Sequence, residues 1–92
     1  AGEIVGIRSV LDGRGEFLEF IAIQGSRIVG KPLMEVNFPR GANVCAVLGK
    51  SGAYVPRGDS VLTPGDRAVV FTTPKLRQAV ERIFKRPKLL GR

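Results

Sequence analysis

The sequence predicts a small α+β domain: a mixed or antiparallel sheet of β-hairpins, a short helix in mid-chain and an amphipathic helix near the C-terminus. Three observations predict it. Two runs rich in β-branched and aliphatic residues, Ile4 to Leu11 and Glu16 to Ile23, flank the turn-forming stretch Asp12-Gly13-Arg14-Gly15 and read as a hairpin. A second pair, Asn43 to Leu48 and Ala53-Tyr54-Val55, flanks Gly49-Lys50-Ser51-Gly52 and reads the same way. Beyond them Leu76, Ala79, Val80, Ile83 and Phe84 recur at the spacing of one helix face.

The elements follow in order. In the second run Leu18, Phe20 and Ala22 share one face, while Phe17, Ile21 and Ile23 share the other with Glu19, so this strand is expected to be covered on both sides. Glu16 and Glu19 stand at odd spacing, hence on opposite faces, and cannot pair as a general acid and base; solvated or edge positions are expected for them. Gln24-Gly25-Ser26 ends the strand, and Ser26 to Lys31 reads as a short crossing segment. Pro32 opens a short helix through Leu33-Met34-Glu35-Val36, which Phe38-Pro39-Arg40-Gly41 breaks.

Cys45, between Val44 and Ala46, reads as a small core hydrophobe in the next strand. After the second hairpin comes a loop, Pro56-Arg57-Gly58-Asp59, from which Val61 and Leu62 are expected to return to the core. Thr63-Pro64-Gly65-Asp66 is a tight turn, Pro supplying the first φ and Gly permitting a positive φ next, and it delivers the strand Arg67 to Thr72. For the final helix Thr73 is the expected N-cap, Pro74 the first helical residue, Glu81 and Lys85 an i, i+4 pair and Pro87 the stop. That apolar stripe faces the core, or in part a dimer seam.

Composition bounds the function. Ninety-two residues, 43% apolar and 25% charged, suit one domain with one core. The chain has no His and a single Cys, which removes intramolecular disulfides, zinc fingers, Ser-His-Asp and Cys-His catalysis, so the chain reads as a non-enzyme. Apolar runs such as Ala68 to Phe71 are far shorter than the roughly 18 residues of a membrane span. The chain begins with Ala and shows no basic and apolar leader pattern, and reads as a fragment of a longer protein without a signal peptide.

The net charge of +7 is unevenly placed. From Arg82 onward stand Arg82, Lys85, Arg86, Lys88 and Arg92 with no acid, whereas residues 1–81 hold ten bases against eight acids. With one Tyr, no Trp and no basic stripe interleaved with aromatics, the body does not read as a nucleic-acid binder. Such a terminus reads as a solvated, fraying tail, the alternative being one that touches phosphates, an acidic partner or anionic lipid head groups.

Short motifs mostly fail on context. Gly49-Lys50-Ser51 has the ending of a phosphate-binding loop, but Val44 stands where its first Gly is needed and a hairpin follows instead of a helix. Gly13 and Gly15 begin a dinucleotide fingerprint that Leu18 interrupts, so a nucleotide cofactor belongs elsewhere. Arg57-Gly58-Asp59 spells an adhesion tripeptide without any secreted context.

Five segments in order carry a resemblance: Gly25-Ser26-Arg27-Ile28-Val29-Gly30-Lys31-Pro32-Leu33, Phe38-Pro39-Arg40-Gly41-Ala42-Asn43-Val44, Val55-Pro56-Arg57-Gly58-Asp59, Val61-Leu62-Thr63-Pro64-Gly65-Asp66 with Arg67 to Phe71, and a helix closing on Ile83-Phe84. Together they resemble the TrkA C-terminal domain, the C-lobe of domains that regulate potassium conductance (RCK domains). Residues 3–20 further resemble the stretch leading into the last such domain of a TrkA-type regulator. The resemblance divides the chain into a lead-in strand and turn (1–16), a TrkA-C-like regulatory domain (17–86) and a basic tail (87–92).

What the resemblance implies is a cytoplasmic regulatory domain, peripheral at the inner face of the membrane. It implies a homodimer that acts beside a separate Rossmann-type domain binding NAD or ATP, and that gates a membrane potassium transporter of the TrkH type. In some members a cyclic dinucleotide sits between two lobes; the matching positions are Arg40, which would meet a phosphate, Asn43, which would meet a polar edge, and Val44 and Pro56, which would form apolar wall. Arg57 and Asp59 are loop or interface candidates, as a local ion pair. The alternative is the same lobe serving as a sensor or dimerisation domain of another ion transporter. Neither metal nor catalytic residues are implied.

Overall fold

Residues 3–88 are described by a computed structural model. The terminal residues 1–2 and 89–92, with Arg92 of the expected tail, lie outside the described residues. The first hairpin forms as the alternation predicts: β1 (Glu3–Val10) runs antiparallel to β2 (Gly15–Ile21), with Ile7 opposite Leu18 and Val10 opposite Gly15. Their connection is a 3₁₀ turn over Leu11–Gly13 in which Leu11 and Asp12 (both φ 55°) and Gly13 (φ 84°) adopt left-handed backbone, so Leu11 leaves the strand. Gly15, just beyond, is a close-approach position: a Cβ there would lie 2.6 Å from Cε1 of Phe71.

The second hairpin pairs β3 (Ala42–Gly49) with the short β4 (Gly52–Tyr54) around Lys50-Ser51, so the Gly-Lys-Ser sequence is a turn. The last strand, β5 (Arg67–Thr72), inserts between the hairpins and pairs antiparallel with both β2 and β3, giving the order β1-β2-β5-β3-β4. Its delivery turn is as predicted: Gly65 has φ 94°, and both carboxylate oxygens of Asp66 accept from Thr63, one from its backbone N–H at 3.0 Å and the other from its hydroxyl at 3.3 Å.

A single layer covers one face of this sheet. α1 (Arg77–Phe84), the crossing segment through Ile28 and Val36, and Leu62 bury Leu18, Phe20, Val44, Val47, Ala68 and Val70. Phe84 stacks on Phe20 with ring centroids 4.1 Å apart and planes within 6°. The shortest dimension of the fold, 22 Å, accommodates a sheet and one layer of cover. Hence the expected two-sided cover of β2 is corrected: Leu18, Phe20 and Ala22 are buried, whereas Phe17, Glu19 and Ile21 stand half-buried on a face over which the described residues lay no second layer.

Further expectations change for local reasons. The expected short helix is one 3₁₀ turn, Leu33–Glu35, tied into the 58–60 loop by Leu33 N–H to Ser60 O and Met34 N–H to Gly58 O, both 2.9 Å. Leu62 is fully buried, but Val61 is exposed, because neighbours on an extended segment point to opposite sides. A β-bulge between Val44 and Ala46 shifts the register of β3, so Val44 and Val47 both reach the core. Cys45, the extra residue, is displaced from the core and half-exposed. The C-terminal helix begins with a 3₁₀ turn, Pro74–Leu76, closed by Leu76 N–H to Thr73 O at 3.0 Å; the side chain of Thr73 makes no cap bond. α1 ends at Phe84 and Lys85 is extended (ψ 155°), so the expected Glu81–Lys85 pair does not form.

Candidate functional site

β4 pairs only with Val47–Gly49 of β3, so the first half of β3 has a free outer edge. A cleft of about 230 Å³ lies there. Its walls are Asn43 and Val44 of β3, Leu33 and Met34 of the 3₁₀ turn, and Pro56, Arg57 and Gly58 of the loop. The lining alternates in character: Val44 is buried in the core edge, Asn43 and Arg57 present polar and cationic groups, and Met34 is 69% exposed. Methionine is unbranched and soft, suited to a wall that adjusts to what it meets.

The loop is shaped from within. Arg57 N–H donates to Ser60 Oγ at 2.9 Å and Ser60 N–H returns a bond to Arg57 O at 3.0 Å, fixing a tight turn across Gly58-Asp59. The predicted Arg57–Asp59 ion pair is absent; the serine closes the turn instead, leaving the Arg57 side chain exposed at the cleft and Asp59 outside its lining. Four predicted residues, Asn43, Val44, Pro56 and Arg57, therefore meet in one cleft. Arg40 is not among its lining residues: it sits exposed on the turn entering β3, where Ala42 N–H bonds Pro39 O at 3.2 Å. Leu33, Met34 and Gly58 are lining residues that the sequence does not single out; the hydrogen bonds between the 3₁₀ turn and the loop bring them there, and the sequence shows only the Pro32 and Gly58 turn signals.

Charge is organised elsewhere on the sheet. The Arg77 guanidinium grips Glu16 with two bonds, Nε to Oε1 at 2.9 Å and Nη2 to Oε2 at 2.7 Å, tying β2 to α1. These hydrogen bonds hold the Glu16 carboxyl below the ordinary carboxylate value, against the opposing effect of burial, and in turn raise Arg77. On the opposite face Glu19 pairs with Arg67, whose Nε donates at 2.7 Å. β2 lies between β1 and β5, so neither glutamate is at an edge; Glu16 is buried against expectation, held by Arg77, while Glu19 is one-third exposed on the open face, in part as expected, and paired with Arg67. Among the described residues no group of three or more His, Cys, Asp or Glu side chains is placed to hold a metal ion, and no helix is long and apolar enough to cross a membrane.

The family model of the TrkA-C domain matches residues 17–85. This chain belongs to the TrkA-C family. The domain is regulatory rather than catalytic. It is 43% identical over 72 residues to the Trk system potassium uptake protein TrkA homolog 1 of Methanosarcina mazei, a match covering 78% of this chain and 16% of that protein. Against the Trk system potassium uptake protein TrkA of Azorhizobium caulinodans it is 36% identical over 84 residues, covering 91% of this chain and 18% of the relative. The TrkA-C chain thus spans under a fifth of the length of these two relatives. Its fold matches the crystal structure of the GsuK RCK domain with a TM-score of 0.73 at 20% identity, over 96% of this chain and 20% of that one.

Proposed function

We propose that this TrkA-C domain is the cytoplasmic regulatory lobe of a potassium uptake system. It works as a homodimer beside a separate Rossmann-type domain that binds NAD or ATP, and it controls a membrane potassium transporter of the TrkH type. The 43% identity to a potassium uptake protein over 72 residues carries the reading. The cleft at the open edge of β3 is the ligand site. At about 230 Å³ it is smaller than the roughly 300–1,000 Å³ of a complete small-molecule pocket, which suits one half of a cyclic dinucleotide shared between two lobes.

In this reading Arg57 meets phosphate, Asn43 meets a base edge, Val44 and Pro56 supply apolar wall, and Arg40 reaches the ligand from the neighbouring turn. A ligand that favours one arrangement of two lobes shifts the population of arrangements and passes that bias to the adjoining nucleotide-binding domain.

The test is a thermal-shift series with cyclic di-AMP, NAD, NADH, ATP and ADP, with mass by light scattering. A ligand at a hundred times its Kd adds about 2.7 kcal/mol, roughly 10 °C or more for a domain of this size. The expected result is a shift with cyclic di-AMP alone, weakened at least about tenfold in affinity by Arg57→Ala, the scale of a lost charge-assisted bond. No shift with any of them removes the ligand-sensing part of the proposal, and a monomer at all concentrations removes the dimer.

A further inference from the structure

We infer that the corner formed by the C-terminal end of α1 and the 24–28 loop is a docking surface for anionic phospholipid. Two stretches distant in sequence build it. Ile28 N–H bonds Ile83 O at 3.2 Å, which seats the loop against the helix end, with Arg27 and Arg82 each one residue from that bond. The Arg86 stem crosses Gly25, where a Cβ would lie 3.2 Å from its Cγ, and Lys85 and Lys88 stand one and two residues from it in the chain. Five bases thus share one corner.

None of the five is held in an ion pair among the described residues. Of the nearby carboxylates, Asp66 is buried with both oxygens bonded to Thr63, and Glu81 is a single acid set against the five bases. The corner stands apart from the cleft, since none of its residues lines it. Its one aromatic residue, Phe84, is fully buried, so no ring is available for the base stacking by which single-stranded nucleic acid is held. Many unpaired cations without stacking groups fit a mobile layer of phosphates, to which each nearby base adds attraction.

The test of this surface does not depend on ligand binding in the cleft. The chain is sedimented with vesicles of phosphatidylcholine alone and with vesicles in which about a third of the lipid is phosphatidylserine. Arg27→Gln, Arg82→Gln and Lys88→Gln are combined, because all three side chains are exposed, whereas the Arg86 stem packs on Gly25. The control combines Arg8→Gln, Arg14→Gln and Lys50→Gln, which remove the same charge from exposed positions elsewhere.

The expected result is binding to the anionic vesicles only, abolished near about 1 M salt. The corner variant loses about fivefold per base, roughly a hundredfold in all, while the control keeps most of its binding. Thermal midpoints check that both fold, and single substitutions read one at a time replace the triple variant if its transition is lost. Equal loss in both variants, absence of binding, displacement by inorganic phosphate, or tighter capture by duplex DNA than by the vesicles would each overturn the proposal.

Discussion

Phe20 and Phe17 lie three residues apart on β2 and meet different surroundings. Phe20 is fully buried, stacked on Phe84 of α1, whereas Phe17 stands half-buried on the uncovered face, edge-on to Phe71 with centroids 5.5 Å apart. The glutamates differ in the same way. Glu16, on the covered face, is gripped by two bonds from the helix and its side chain is 11% exposed, while Glu19, on the open face, pairs with a strand neighbour and is 33% exposed. What distinguishes the two faces is the presence of a covering layer; similar apolar and acidic residues alternate on both. An apolar side chain stabilises a fold in proportion to the surface removed from water, so the two faces carry unequal shares of the stability.

The largest expected effect is on the covered face. Phe20→Ala removes a stacked, fully buried ring and is expected to cost about 3–5 kcal/mol, read by denaturant unfolding; Phe17→Ala is expected to cost about 1 kcal/mol. Equal costs would mean that the open face is covered in solution, which light scattering would show as association.

Next come the ion pairs. Glu16→Gln is expected to cost about 1–2 kcal/mol, a charge-assisted bidentate contact discounted for the partial exposure of Arg77. Glu19→Gln is expected to cost under about 1 kcal/mol, and its effect should vanish in high salt. A reversed order would put the tighter pair on the open face.

The smallest effect is on the acid limb of stability. Because the folded state lowers the Glu16 carboxyl, its contribution is complete above the unfolded value of about 4.3 and is lost as pH falls through the lower folded value. Unfolding midpoints of wild type and Glu16→Gln are therefore expected to converge as pH falls below about 4. A constant gap down to the acid transition would assign the pair's contribution to packing instead of charge.

Turn chemistry and periodicity make much of the fold legible from the order of residues. Gly65 takes the positive φ assigned to it, both hairpins form, and Val80, Ile83 and Phe84 face the core as their spacing requires. The failures share a cause. A bulge that moves Cys45 outward, a helix end that separates Lys85 from Glu81, and the missing layer over Phe17 all depend on what lies across from a residue, which spacing along one element does not contain. The cleft is half-legible for the same reason: Asn43, Val44, Pro56 and Arg57 come from two extended segments, and Leu33 and Met34 join them only through hydrogen bonds to the 58–60 loop.

By itself the sequence determined the local pieces: strands by alternation, turns by Gly, Pro and Asp, the helix by its apolar stripe, and the absence of histidine chemistry. Those signals act over a few residues, where φ/ψ preference and side-chain period are set by neighbours along the chain. Only the tertiary structure decided that β5 joins the two hairpins, that Arg77 reaches Glu16 across 61 residues, and that the described residues lay their cover on one face of the sheet alone. Those outcomes depend on which distant surfaces gain most by meeting, and that gain exists only once the chain has folded back on itself.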